Sequence, residues 1–217
     1  MGGSVDKAKV PQATVPRLAR YLRVLHKLER DNVPKVSSKE LAERLDANAA
    51  QIRKDFSYFG EFGVRGVGYE VKYLIGELSK CLGLDREWNV VIVGAGKLGQ
   101  ALARYRGFQE EGFNLVGIFD SSRFVIGTQV DDLIVQPELG LADFVRENDV
   151  HIAILTVPAE AAVLVAQRAI EGGIKGIVNF APARLPPVPG VFIRQVDLST
   201  ELMVVSFYIS QNVPGKT

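Results

Sequence analysis

Asn89-Val90-Val91-Ile92-Val93 runs without a break into Gly94-Ala95-Gly96-Lys97-Leu98-Gly99. The short β-branched run suits a strand buried on both faces of a parallel sheet. The G-x-G-x-x-G that follows is the turn of a dinucleotide-binding unit: Gly94 turns tightly, Gly96 lets a pyrophosphate approach the backbone, and Gly99 lets helix and strand pack closely. A helix predicted over Gln100–Arg106 would aim its unpaired N–H groups at the phosphates. The glycine pattern alone is weak, but its context is stronger. A second apolar strand, Leu115–Phe119, ends in Asp120, 21 residues after Gly99, near the spacing of a ribose-binding acid. Asp120 would accept from the ribose hydroxyls and repel a 2′-phosphate, which favours NAD(H) over NADP(H). Arg123 close by keeps the phosphorylated alternative open.

Alternation continues, with a strand over Val150–Thr156, a helix over Ala159–Glu171 and a strand over Gly176–Asn179, so the sheet is expected to be doubly wound. Thr156-Val157-Pro158 and Asn179-Phe180-Ala181-Pro182 then fall at carboxyl ends of strands, where ligands of such folds bind. Pro158 as a first-turn helix residue and Pro182 as a loop stiffener are equally good accounts of those two prolines. A strand over Val191–Val196 precedes Ser199–Gln211, a segment carrying Leu202, Val205, Phe207, Tyr208 and Ile209. That is more apolar surface than one exposed helix face tolerates, and burial in a partner subunit would explain it.

The first part of the chain is of another kind. Residues 1–80 hold 15 Lys and Arg against 10 Asp and Glu, and the remainder 11 against 15, so a net charge of +1 conceals a basic module joined to an acidic one. That split suits a phosphate-binding partner for the first module, though a solvated basic face gives the same count. Leu18, Leu22, Leu25 and Leu28 make a helical stripe opposite Arg17, Arg20 and Lys27, and Asn32 with Pro34 ends it. Ser37-Ser38-Lys39-Glu40 supplies a capping box for a second helix, Ser38–Leu45. Asn48 followed by Gln51 repeats the pattern and opens a third helix running to about Phe59. Ile52, Phe56 and Phe59 line its inner side, leaving Gln51, Arg53, Lys54, Ser57 and Tyr58 on the others. Two coupled short helices of this kind make a helix-turn-helix; a three-helix bundle with a basic face is the competing account. Residues 60–69 place four glycines among Val and Tyr, which reads as a β-hairpin wing with Arg65 and Gly66 at its tip, suited to a minor groove. A structural or phosphate-binding glycine loop is the alternative. A last helix over Val71–Leu82 closes at Gly83.

With 47% hydrophobic and 24% charged residues, the chain has the profile of a soluble globular protein. No apolar run approaches a membrane span, and Met1–Lys9 is too polar for a signal peptide, which points to the cytoplasm. A lone cysteine, Cys81, excludes an intrachain disulfide and a thiolate zinc site and is expected to be structural; no metal is expected. An NAD-dependent dehydrogenase would need a poised acid or base, and only His26 and His151 are available. Both read as structural, and a dehydrogenase would leave the basic module without a role. A CoA- or nucleotide-binding regulatory module is a further alternative.

Taken together the residues resemble the redox-sensing transcriptional repressor family Rex. The likeness runs from Val10-Pro11 through the stretch Gln51–Gly60, Arg65–Tyr69, the glycine fingerprint and Thr156–Pro158 to Asn179–Pro182 and Val196-Asp197. The run from Arg53 to Gly60 with its wing is its most specific part. The resemblance implies an α/β chain: a winged helix-turn-helix (1–84), a doubly wound Rossmann domain (85–197) and a C-terminal helix (198–217) swapped into the partner of a homodimer. It implies a repressor, not an enzyme, that binds an inverted-repeat DNA operator and is released by NADH, while NAD+ permits binding. It also implies that Lys54 and its neighbours read the major groove and that Tyr105 lies near the nicotinamide. Asp197 would act as a switch acid alternating between Arg23 and Tyr105.

Overall fold

The computed structural model describes residues 10–58 and 68–212, in two compact units divided between Arg86 and Glu87. In the first, α1 (Val15–Arg30) carries Pro16 in its first turn, where a missing N–H costs nothing. Leu18, Tyr21, Leu22, Leu25 and Leu28 are buried along one side, while Arg20, Arg23 and Lys27 face solvent. Asn32, at φ 57°, reverses the chain. After β1 (Lys35–Val36), α2 (Ser38–Leu45) begins with the expected box: Ser37 N–H donates to Glu40 Oε2 at 2.7 Å and Glu40 N–H to Ser37 Oγ at 3.1 Å.

The next helix, α3 (Ala49–Ser57), departs from expectation at its start. Asn48 Oδ1 caps Ala50 N–H at 2.7 Å, but the Gln51 amide turns inward to Asp55 instead of returning to the cap. The second capping box is therefore open. Beyond residues 59–67, β2 (Tyr69–Glu70) pairs antiparallel with β1, Val36 opposite Tyr69, a pairing the sequence did not announce. Gly68 sits at φ +87°, and a Cβ there would lie 2.9 Å from Val36 O, so the pairing needs glycine. α4 (Val71–Leu82) ends at left-handed Gly83 as predicted and carries Cys81, which is half-buried.

The second unit begins with β3 (Trp88–Val93), α5 (Lys97–Ala103), α6 (Gly107–Glu110) and β4 (Phe113–Asp120). The helix expected over Gln100–Arg106 is displaced toward the turn, because Gly96 in extended backbone serves as its cap and it starts at the next residue. Then come β5 (Gln129–Val130), β6 (Leu133–Pro137), α7 (Leu141–Glu147), β7 (Ile152–Leu155), α8 (Ala159–Gly172), β8 (Gly176–Asn179), β9 (Phe192–Gln195) and α9 (Leu198–Asn212). They form one seven-stranded sheet, ordered β5-β6-β4-β3-β7-β8-β9, parallel except for β5. The chain reverses its direction of travel between β3 and β7, the switch point where ligands of such sheets bind. Both sheet faces are covered: Val91 and Val93 pack with Phe119, Leu141 and Val165, and Val90 and Ile92 with Ile118, Val135 and Phe108. That two-sided burial is why β3 reads as an unbroken apolar run. No helix among the described residues is long and apolar enough to cross a membrane.

Candidate functional site

At the switch point the three fingerprint glycines do three different things. Gly94 has φ +103°, and a Cβ there would come within 2.6 Å of Thr156 O. Gly99 is more constrained, since its Cβ would sit 1.9 Å from Gly94 O. Gly96 is exposed, and its Cβ would meet no protein atom within 4 Å. Packing thus explains Gly94 and Gly99, whereas the space beside Gly96 is left for something outside the chain. Lys97 and Leu98 are exposed beside it and Ala95 is buried.

The turn is held from both sides. Thr156 N–H donates to Val93 O at 2.8 Å and its hydroxyl to Gly94 O at 2.7 Å, so the threonine is an anchor of the turn. Asp120 holds the other flank: Oδ2 accepts from Ala95 N–H at 2.6 Å and Oδ1 from Ser122 N–H at 2.7 Å. Each carboxylate oxygen keeps capacity for a further donor, as a ribose hydroxyl would require. Beside Asp120 lies a cavity of about 410 Å³ with Ile126, Leu139 and Leu164 as apolar wall and the Glu138–Arg168 ion pair at one side. The sequence reading missed this pair, because a 3₁₀ turn and α8 are brought together across 30 residues.

Of the other expected ligand residues, Val157 is buried and Pro158 takes the cap position of α8. Asn179 is fully buried and its amide is spent internally, donating to Ala183 O and Gln195 Oε1 and accepting from Ala181 N–H. It shapes the Phe180-Ala181-Pro182 turn and offers nothing outward. Tyr105 lies elsewhere. It follows the end of α5 and stands edge-on to Phe108 at 5.1 Å, in a cavity of about 500 Å³ lined by Phe113, Leu115 and Leu133. Those residues start β4 and β6, so within one chain Tyr105 is at the amino edge of the sheet and the glycine turn at the carboxyl edge. Asp197 caps α9, accepting from Ser199 N–H at 2.9 Å and from the Thr200 hydroxyl at 2.9 Å. The Thr200 hydroxyl and the Ser199 amide hold its carboxyl below the usual range. Arg23, the third expected switch residue, is exposed on α1.

In the first unit the outward side of α3 presents Arg53 and Lys54. Arg53 also donates to Ser38 Oγ at 2.9 Å, bridging to α2. Ser57 turns its hydroxyl back to Lys54 O at 2.7 Å, and Tyr58 is half-buried. Arg65 and Gly66 lie outside the described residues. The inner side holds a group that periodicity should have flagged, because Asp55 falls on the apolar stripe beside Phe56. Wholly buried, it accepts from Arg17 Nε at 2.6 Å, Arg17 Nη2 at 2.7 Å, the Tyr21 hydroxyl at 2.8 Å and Gln51 Nε2 at 2.8 Å.

Burial pushes the Asp55 carboxyl up, but the hydrogen bonds from Arg17, Tyr21 and Gln51 outweigh it and hold it below its ordinary range. Burial, with the Asp55 hydrogen bond, pushes Tyr21 up to about 12. A phenol raised in the folded state stabilises below its unfolded value of about 10 and loses that contribution as pH rises through its folded value. Urea melts between pH 8 and 11 should therefore show an alkaline decline in wild type that is smaller in Tyr21→Phe. Equal slopes would remove the phenol from the pH response.

The chain matches the family described as "Putative DNA-binding protein N-terminus" over residues 9–57 and the CoA binding domain over residues 85–183. A redox-sensing transcriptional repressor Rex of Carboxydothermus hydrogenoformans is 48% identical over 94% of this chain and 98% of its own. Its namesake from Streptomyces coelicolor is 45% identical over 92% of this chain and 77% of its own. Among solved structures, RSP in complex with beta-NAD+ and operator DNA superposes with TM-score 0.88 at 41% identity, over 93% of each chain. RSP with beta-NADH gives 0.84 at 39% identity, over 94% of this chain and 95% of the other. A helix-turn-helix ahead of a doubly wound sheet with a glycine turn at its switch point, shared with these relatives along nearly its whole length, means that the chain belongs to the Rex family of redox-sensing transcriptional repressors.

Proposed function

We propose that this protein is a cytoplasmic repressor that binds an inverted-repeat operator as a homodimer and leaves it when NADH occupies the glycine turn. The observation that carries the reading is the open space at Gly96 beside a carboxylate, in a chain that also presents Arg53 and Lys54 on a helix-turn-helix. Asp120 takes the adenosine ribose, the pyrophosphate lies against Gly96, and the cavity walled by Ile126 and Leu164 receives the adenine. Asp120 also disfavours coenzyme A, whose ribose carries a phosphate, although the second unit matches a CoA binding domain.

The reading is regulatory and not catalytic. His26 pairs at 3.7 Å with Glu29 along α1, and His151 accepts from Asn89 N–H at 3.2 Å ahead of β7, away from the carboxyl edge where chemistry would occur. α9 supports the homodimer, since every described side chain from Leu198 to Gln211 is exposed, including Leu202, Met203, Phe207 and Ile209. Swapping it onto a second copy removes that apolar surface from water. The switch remains assigned to Asp197, which must release its hold on the start of α9 to pair with Arg23 or Tyr105.

The test is an anisotropy titration of an inverted-repeat duplex with the full chain at two salt concentrations, alone and with NADH, NAD+, NADPH or coenzyme A. Affinity should fall steeply with salt, as phosphate contacts require, and NADH alone should release the duplex. Release by coenzyme A with no response to NADH would sink the assignment of the ligand.

A further inference from the structure

α3 meets the rest of its unit through a carboxylate as well as through apolar side chains. Asp55 is 0% exposed and receives hydrogen bonds from α1 by way of Arg17 and Tyr21, and from its own helix by way of Gln51 one turn earlier. Arg17 is itself fixed by Ala13 O at 2.8 Å and Thr14 Oγ1 at 3.1 Å. Aromatic edges extend the contact: Phe56 stands against Tyr21 at 5.6 Å and against Tyr69 of β2 at 5.2 Å. The rotation of α3 about its axis is thus pinned on two sides.

The chemistry at Gln51 has a sharper consequence. An ionised carboxylate can only accept, so the nitrogen end of the Gln51 amide must face Asp55. The carbonyl oxygen is left at the other end. Among the described residues no buried side-chain oxygen or nitrogen lacks a partner and none donates to Gln51 Oε1, so with respect to them that oxygen is open to solvent. A glutamine without such a tether can present either end.

We propose that Asp55 is a positioning residue for base readout: it fixes Gln51 with its carbonyl oxygen outward, so that α3 selects at that position a base offering an exocyclic amine, adenine or cytosine. In the major groove only adenine N6 and cytosine N4 donate, while guanine and thymine present acceptors there. This rests on the operator-binding reading above. Lys54 and Arg53, as donors, would select the complementary acceptor-bearing edges.

The experiment measures the affinity of the full chain for the operator and for every single-base-pair variant of it, with wild type, Asp55→Asn, Gln51→Leu and the double variant. Wild type should show a position where the amine-bearing base is preferred by about tenfold. Gln51→Leu and Asp55→Asn should each flatten that preference at the same base pair and leave salt-dependent binding to random duplex in place. The double variant should lose no more than Gln51→Leu, because Asp55 acts through Gln51; losses that multiply would mean a merely structural role. Asp55→Asn retaining the preference would overturn the proposal.

Should Asp55→Asn fail to fold, side-chain amide NMR of wild type decides, with Gln51→Leu giving the assignment. A Gln51 NH₂ pair shifted and slowed in exchange relative to the other glutamines supports the tether; an averaged, fast-exchanging pair refutes it. Failure of wild type to prefer any operator would fall on the DNA-binding reading itself, whereas a preference untouched by Gln51→Leu falls on this inference alone.

Discussion

Gly99→Val is expected to abolish detectable NADH binding and to destabilise the second unit, while Gly96→Ala weakens NADH binding with no loss of stability. The contrast comes from where each Cβ would go. At Gly99 it would lie 1.9 Å from Gly94 O, a backbone atom already fixed by the Thr156 hydroxyl, so turn and helix must move apart. Overpacking of that kind costs about 1–3 kcal/mol, and it deforms the surface meant for the pyrophosphate. At Gly96 the Cβ meets nothing in the protein, so the melting temperature should stay at the wild-type value. Any ligand lying against that backbone would still be pushed away, and a rise in Kd of about tenfold corresponds to about 1.4 kcal/mol. Calorimetric titration with NADH and thermal melts of both variants check this. A Gly96→Ala protein binding NADH as tightly as wild type would place the pyrophosphate elsewhere.

Removing α9, by ending the chain after Asp197, is expected to convert a dimer into monomers and to lower operator affinity by about 10²–10⁴-fold. That is the range by which linking two binding modules exceeds one of them. The helix exposes Leu198, Leu202, Met203, Val204, Val205, Phe207, Tyr208 and Ile209, each between 46% and 71% accessible in the single chain. So much apolar surface on one helix has no stabilising role unless another surface covers it. Sedimentation velocity gives the mass, and titration on full and half operators gives the affinity. The first unit has its own core around Leu25, Leu41, Ile52 and Leu74, so half-site binding should survive. A truncated chain that remained dimeric and kept full-site affinity would refute the role given to α9.

Local patterns were legible in the sequence and distant pairings were not. The glycine turn, the capping box at Ser37, the stop at Gly83 and the acid ending β4 each depend on residues within one turn or one strand, and the structure places them as read. Residues 121–149 resisted reading because β5 has only two residues and α7 starts without a side-chain cap. Gln51 was misassigned for a physical reason. The spacing from Asn48 suits a capping box, but a buried carboxylate is a stronger attractor for the amide than a solvated helix start. Asp55 owes its four donors partly to Arg17 and Tyr21, which are 38 and 34 residues away in the chain, beyond the reach of periodicity. Tyr105, carried over by resemblance to the nicotinamide, stands in one chain at the opposite edge of the sheet from the glycine turn, a separation set by the parallel strands that no local pattern announces.

The outer strand β9 bears on how the molecule behaves when crowded. A parallel sheet ending in a free strand offers a row of unpaired backbone groups onto which another chain can zip, the first step toward aggregation. Here that strand is only Phe192–Gln195, about 13 Å long at 3.3 Å per residue, and it carries Arg194 midway. Pro186, Pro187 and Pro189 lie just ahead of it and cannot donate to any extension of the ladder. At the other border β5 is two residues long and runs against its neighbour. Both margins of the sheet are thereby blunted against edge-to-edge pairing with another chain.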